Sequence, residues 1–406
     1  LSKQLWDPGA PPGWEELAHR SAMDRAWEAY YGRADRPLAV DRWGHDDNVR
    51  LSFARLIVDA GVGFLVGRGL AVEAVMAPGA AEDAAALSEA QALLDRVWLA
   101  NHKALFLHRL AVAGAVCGQA FARISREAPQ GAEEGLPRII APDPRAVWVR
   151  SAADDVERVD GYRVCWTEGD AARADRAWCL DPAGTRWVER DMERPSGGGG
   201  WASRSVRAWP YPWPPLVACQ NLPAPNAYWG VSDLEPDVLQ LCGDLEKVMG
   251  SMARILRLHA FPRLWITGAR RTDLDLEQDG ILFLPSPDCS VGSLEMRGDL
   301  SASLSMFTRL KEALHEITRV PEATGSRMDG MGRLSGSALR ILYRPLLDKT
   351  MTKRLLYGDL VRRVSLAALT VAADALAPGL PTGRLGVRLH WPDPLPEDDT
   401  PDAATT

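Results

Sequence analysis

The chain has 406 residues, enough for two or three domains at roughly 150 residues each, and its 46% apolar and 25% charged residues are the shares of an ordinary globular protein with a large core available. Asp and Glu number 54 against 47 Lys and Arg, a formal net charge of -7, which argues against a protein that clamps DNA through a broad basic face. Six scattered cysteines, Cys117, Cys165, Cys179, Cys219, Cys242 and Cys289, form no CxxC pair, as expected of a reduced, cytoplasmic chain. The longest apolar stretches, Leu105 to Ala122 and Val364 to Leu380, are broken by His108 and Arg109 and by Asp374, so neither is an uninterrupted membrane span. The chain opens at Leu1 rather than Met, as expected where a residue or a short leader is missing.

Trp14 to Tyr31 is helical in pattern after a Pro/Gly-rich start. A second helix is predicted from about Asp47 to Val66, with Leu51, Ala54, Leu56 and Val58 among its apolar positions and Gly67 and Gly69 at its end. Leu70 to Met76 alternates like a strand, and Ala81 to about Arg123 reads as two consecutive helices. The middle third is a β-rich insert: Arg138 to Trp148, Val159 to Glu168, Arg176 to Asp181 and Arg186 to Arg190 are short Val-, Trp- and Ile-rich runs between turn signals. Ser196 to Gly200 reads as a hairpin tip or linker, and the prolines of Trp209 to Pro215 require extended backbone. Helix returns from about Ser232 to His259. Val238, Leu241, Leu245, Val248, Met252 and Ile255 form one apolar seam, backed by Asp244, Glu246, Lys247, Arg254 and Arg257. Phe261 to Leu294 is a strand and turn region. A matching seam of Leu300, Leu304, Phe307, Leu314 and Ile317 then restores helix, which Val320-Pro321 closes. A Gly/Met/Ser loop and a very long helix follow, then a last strand, Val387 to Trp391, and an acidic, Pro-rich tail.

Several constellations invite a chemical reading. Glu16-x-x-His19 and Glu312-x-x-His315 have the spacing used in di-iron bundles, but no further inward-facing Glu pair is marked, so they read as surface charge. Asp273-x-Asp275-x-Glu277 opens like a calcium loop yet lacks glycine at the sixth position and reads as a solvated acidic hairpin. The glycines Gly61, Gly63 and Gly67 sit late in a helix rather than after a strand, and Gly330 to Ser337 lacks the Lys-Ser/Thr of a phosphate loop. With no catalytic, metal or cofactor motif assigned, the chain reads as a non-enzyme. Trp201, Trp209, Trp213 and Trp229 could stack bases, but they alternate with Pro and Gly, so packing or a subunit interface is the better reading.

Four pieces occur in order over more than a hundred residues. They are Asn221 to Asp233 (NLPAPNAYWGVSD), Phe261 to Gly268 (FPRLWITG), Gly298-Asp299-Leu300, and Ser335-Gly336-Ser337-Ala338-Leu339 before the long helix. In this order and spacing the chain resembles the portal proteins of tailed double-stranded DNA phages. Ser232 and Asp233 are also good helix caps on local grounds.

The resemblance implies an α+β portal fold, organised as a helical wing at 1–231 with its β-rich insert at about 138–190, a first stem helix at 232–260, a small α/β clip at 261–297 and a second stem helix at 298–320. A tunnel loop at 321–335, a long wing helix with closing strand at 336–393 and a tail at 394–406 complete it, with the crown reduced or absent. Val238, Leu245, Met252, Leu304, Phe307 and Leu314 are expected to pack the stem against neighbouring subunits. Arg270, Arg271, Asp273, Asp275 and Glu277 are expected at the clip tip, whose strands would pair with a neighbour's and whose alternating charges suit docking. Arg327, Met328, Asp329, Met331 and Arg333 are expected to line the DNA channel, where few and weak phosphate contacts let the duplex slide. The implied assembly is a homo-oligomeric ring, usually dodecameric, at one capsid vertex of the virion, built in the host cytoplasm and carrying no membrane contact. Its implied partners are double-stranded DNA, the terminase large subunit, head-completion or adaptor proteins, the major capsid protein and scaffold. Another phage head-tail adaptor ring would lack a stem, clip and loop series of this length. A cytoplasmic metal-dependent enzyme would carry stoichiometric metal.

Overall fold

A computed structural model describes residues 14–34, 36–40, 44–152, 154–168, 174–183, 186–195, 200–260, 263–267, 275–276, 282–283, 290–294, 300–322 and 336–395. The chain is a mixed α+β protein of two compact units. One comprises Leu1–Arg33, Ser52–Leu239 and His315–Thr406, and the other Ala34–Leu51 and Gln240–Leu314.

The first unit opens with α1 (Trp14–Tyr30), α2 (Phe53–Val66), β1 (Ala71–Met76), α3 (Ala84–Ala100) and α4 (Lys103–Cys117). In α2 the buried residues Ala54, Ile57, Val58, Val62 and Leu65 recur at helical spacing, which gives one apolar face. Asp83 caps α3 by accepting a hydrogen bond from the Ala86 N–H at 3.0 Å. The left-handed backbone of His102, φ 48°, separates α3 from α4, and Gly118, φ 81°, ends α4. That glycine is why Gln119 to Arg123, expected as helix, is strand instead.

Two antiparallel sheets follow. β2 (Gln119–Ser125) lies between β3 (Arg138–Ile140) and β9 (Leu216–Gln220). β4 (Val147–Ala152), β5 (Asp155–Glu168), β6 (Ala174–Ala183), β7 (Arg186–Pro195) and β8 (Ala202–Trp209) form a sequential meander. The predicted insert is therefore present but continues beyond Arg190 to Trp209. Phe121 and Leu216 from the first sheet and Val147, Tyr162, Val164, Trp178 and Leu180 from the second share a core. Trp209 is 1% exposed and packs with Ile124, Ala367 and Val371, while Tyr211 and Trp213 stack at 4.7 Å. These aromatic residues are packed with one another and with the core rather than displayed as a platform.

Helix α5 (Pro236–Ala260) has 25 residues and α6 (Ser301–Thr318) has 18, and each contributes residues to both units. The left-handed Arg319, φ 60°, stops α6 two residues ahead of Pro321. Between these helices β10 (Arg263–Thr267) pairs with β13 (Ser290–Leu294), and β11 (Asp275–Leu276) with β12 (Leu282–Phe283). All four strands pair within the chain, and the rest of the expected clip lies outside the described residues.

The long helix is α7 (Gly336–Leu376), 41 residues that keep Pro345 in their interior. A proline there deprives the Ile341 carbonyl of its helical partner, and Ile341 is 76% exposed, so water can take the bond. The chain closes with β14 (Leu385–His390), antiparallel to β1. Among the described residues no helix is long and apolar enough to cross a membrane.

In the second unit, the stretch before Ser52 is not helical as predicted. Leu38 and Asn48 exchange two hydrogen bonds, at 2.9 and 2.8 Å, and the Leu51 N–H donates to the Glu246 carboxylate at 3.0 Å. Gly250 lets this segment lie on α5, since a Cβ there would fall 2.9 Å from the Asp47 carbonyl oxygen.

Candidate functional site

The segment Asn221 to Asp233, the first of the four pieces that carry the resemblance, is anchored by backbone contact. A Cβ on Gly118 would lie 2.4 Å from the Gly230 carbonyl oxygen, and one on Gly230 would lie 2.5 Å from that of Gly118. Only two glycines allow this approach. The Ser232 hydroxyl donates toward the Ala115 and Val116 carbonyls at 3.0 and 2.7 Å, and accepts from the Leu234 N–H at 2.9 Å. The Asp233 N–H donates to Ala115 O at 2.8 Å. Because α5 starts at Pro236, neither Ser232 nor Asp233 is its cap, contrary to the local reading.

Asp233 instead faces α7. Its carboxylate is 1% exposed and meets Lys349 Nζ at 3.0 Å and Lys353 Nζ in a shorter contact. Lys349 also donates to the Thr318 carbonyl, the last residue of α6, at 3.3 Å. Asn221 Nδ2 reaches Asp233 at 3.4 Å while its Oδ1 accepts from the buried Tyr357 hydroxyl at 3.2 Å. One turn of α7 thus holds the segment leading into α5 and the end of α6 together. Burial alone would raise the Asp233 carboxyl, but the two ammonium groups outweigh it and hold it below the ordinary range. Burial lowers the Lys353 ammonium, with Asp233 offsetting part of that effect.

A second carboxylate clasp lies in the other unit. Asp47, 6% exposed, accepts two bonds at 2.7 Å from Arg257 and one at 2.9 Å from Arg254 Nε. These bonds, Arg257's first, hold its carboxyl far below the usual carboxylate range against the opposing effect of burial. The sequence places Arg254 and Arg257 on the polar back of the helix, with no partner named.

The expected stem residues divide. Val238, Leu245 and Leu314 are 3%, 0% and 0% exposed, so they are already covered within the chain and do not await a neighbour. Met252 and Phe307 are half-buried, and Leu304 is 55% exposed. Leu256, Met306 and Ile317 on the same two helices are also exposed. Asp275 lies in β11. Arg270, Arg271, Asp273 and Glu277 of the expected clip tip, and Arg327, Met328, Asp329, Met331 and Arg333 of the expected channel loop, lie outside the described residues.

The first Glu-His pair is not simple surface charge, whereas Glu312 of the second does sit in an exposed ion pair. Glu16 is half-buried beside Arg20 at 3.7 Å, and His19 lies against the Trp229 ring with centroids 4.7 Å apart. Burial raises the Glu16 carboxyl and lowers the His19 imidazole. His315 Nδ1 lies 2.8 Å from the Val320 carbonyl oxygen, while Glu312 pairs with Arg309 at 3.3 Å. Among the described residues no three His, Cys, Asp or Glu gather as a metal site.

Asn221 and Asp233 stood inside the segment that sequence reasoning singled out, but Lys349, Lys353, Tyr357 and Asp47 were missed. The available signal was two lysines at i, i+4, Lys349-Thr-Met-Thr-Lys353, in a helix otherwise rich in apolar residues. No protein-family model matches this chain, and no curated protein matches it.

Proposed function

We propose that the chain is a portal subunit that assembles into a ring at a capsid vertex and passes double-stranded DNA. The observation that carries this reading is the order of elements: a 25-residue helix, a β10–β13 strand pair, an 18-residue returning helix and a 41-residue helix. Two helices leading into and out of a small strand excursion correspond to stem and clip, and the long helix to the wing. The clasp of Lys349 on Asp233 and Thr318 supports it, since a stem that bears load needs both helices fixed at one base. Exposed Leu256, Leu304, Met306 and Ile317 are apolar positions that neighbouring copies in a ring would cover. On this reading the clip docks the terminase large subunit and later head-completion proteins, and the capsid protein and scaffold surround the wing.

Light scattering coupled to size exclusion tests the ring: the expected mass is many times that of one chain at micromolar concentration. A monomer at every salt and concentration would defeat the proposal. Deleting Thr272 to Gln278 should then leave rings intact and abolish motor docking, and normal packaging by that variant would remove the clip assignment.

A further inference from the structure

In the sheet ordered β3-β2-β9, β9 is an edge strand, and among the described residues it pairs only with β2. Along an antiparallel pair, successive residues turn their N–H and C=O alternately toward the partner and away from it. Asn221 N–H donates to Gly118 O and Ile124 N–H to Pro215 O, both at 2.8 Å, which makes the odd-numbered residues of this stretch the inward ones. Ala218 and Gln220 therefore present their backbone groups outward, while Leu216 shares their phase but is fully buried. Such a row is a template for another strand.

Two cavities lie against this edge. The larger, about 920 Å³, is lined by Ala218, Cys219 and Gln220 in succession. Consecutive side chains point to opposite faces of a sheet, so a cavity touched by three in a row meets the strand edge-on. The smaller, about 400 Å³, meets β9 at Val217 and is walled by Trp213, Pro214, Leu366 and Leu385. Arg363 of α7 lines both, and the two are taken together as one groove. Asp154, just before β5, and Asp155 and Glu157 at its start line the larger cavity, and among the described residues only Asp154 of the three has a salt-bridge partner, Arg158 at 2.7 Å.

We propose that this groove binds an extended segment of a partner protein, which adds antiparallel to β9 and carries basic side chains at its start and apolar ones at its end. β9 runs from the apolar cavity at Val217 toward the acidic one at Gln220. A segment running the opposite way meets the carboxylates first and the Trp213 and Leu366 walls last. Main-chain bonds to the outward groups supply affinity, and the charge order supplies direction. A second copy's β9 is flanked by the same α7 wall, so pairing β9 to β9 would drive the two helices together, whereas a lone segment fits between the walls. The inference is independent of the portal reading.

The probe is the blocked, fluorescent peptide Lys-Thr-Lys-Val-Thr-Val-Leu, set against the same residues in reverse order, with binding to the full chain followed by anisotropy. The forward peptide should bind at least tenfold more tightly. Ala218→Pro removes an outward N–H and leaves the β2 ladder alone, so it should weaken forward binding about tenfold with the melting temperature unchanged. Asp155→Asn with Glu157→Gln should flatten the salt dependence. In the wild-type chain, amide exchange across 216–220 should slow when the forward peptide is added, a readout that stands even if Ala218→Pro fails to fold. Equal binding of the two peptides, unaltered binding by a folded Ala218→Pro variant, or no slowing of exchange at millimolar peptide would overturn the proposal. An edge already protected in self-associated protein and exposed on dilution would overturn it in favour of a second copy.

Discussion

Asp233 and Asp47 are both nearly buried carboxylates held by two cations, yet the cations differ in type and in what water can reach. Lys349 and Lys353 are 11% and 3% exposed, whereas Arg254 and Arg257 are 36% and 28% exposed. A lysine is a compact point charge that can be enclosed beside another around one carboxylate. The arginine fork instead reaches in from the surface and keeps part of its guanidinium hydrated. The two clasps therefore differ less in the strength of their bonds than in what is left behind when one breaks. Around Asp233, the Lys353 ammonium would remain enclosed without its carboxylate, while Lys349 would keep the Thr318 carbonyl and the nearby Glu235. Around Asp47, two guanidinium groups would turn to solvent.

The largest expected effect follows from that difference. Asp233→Asn keeps the side chain's shape and removes the charge, and should cost about 3–5 kcal/mol of unfolding free energy, the usual cost of stranding buried charge. Asp47→Asn should cost less, about 1.5–3 kcal/mol, the range for losing hydrogen bonds to a charged group. Urea unfolding of both variants gives the ranking directly. Equal losses would show that exposure of the cations does not decide the matter.

Acid separates the clasps from the rest of the fold. Both carboxyls are depressed below their ordinary value of 3.8, so the unfolded chain binds the proton more readily. Each clasp's contribution is therefore fully present above about pH 3.8 and is lost as pH falls through the lower, folded-state value. Wild-type melting temperature should drop more steeply from pH 4 to pH 2 than that of Asp233→Asn, which lacks one of the two titrating groups. Parallel slopes would mean that Asp233 carries no linkage.

Much of the fold was legible in the sequence because periodicity and turn chemistry are local. The α5 and α6 seams, the β1 alternation and the Asn221 to Asp233 segment all reflect short-range constraints. The errors fall where partners are distant in sequence. Asp47 looked like a helix start but is held by Arg257, 210 positions away, and Asp233 looked like a cap but faces Lys353, 120 positions away. No window over the sequence contains both members of either pair. The polar back of an amphipathic helix is more often solvated than paired, and Arg254 and Arg257 show how a single buried acid changes that. Val238, Leu245 and Leu314 were right as apolar positions, but pattern alone could not say whether the chain itself covers them.

The smallest effect is the sharpest test of the arginine fork. Arg257 offers Nε and Nη2 to the two oxygens of Asp47, both at 2.7 Å, and Arg257→Lys keeps the charge while replacing two parallel bonds with one. The loss should be about 1 kcal/mol, the net value of one hydrogen bond, since Arg254 still holds the carboxylate. Salt should distinguish it further. At 1 M salt the screening length is about 3 Å, and half-exposed arginines feel that screening more than enclosed lysines do. Between low salt and 1 M, the cost of Arg257→Lys should shrink only slightly, because what it removes is geometry rather than charge, while the cost of Asp47→Asn should fall and that of Asp233→Asn should hold. If Arg257→Lys instead loses its whole effect in salt, the fork contributes through charge alone, and the contrast between lysine and arginine clasps reduces to depth of burial.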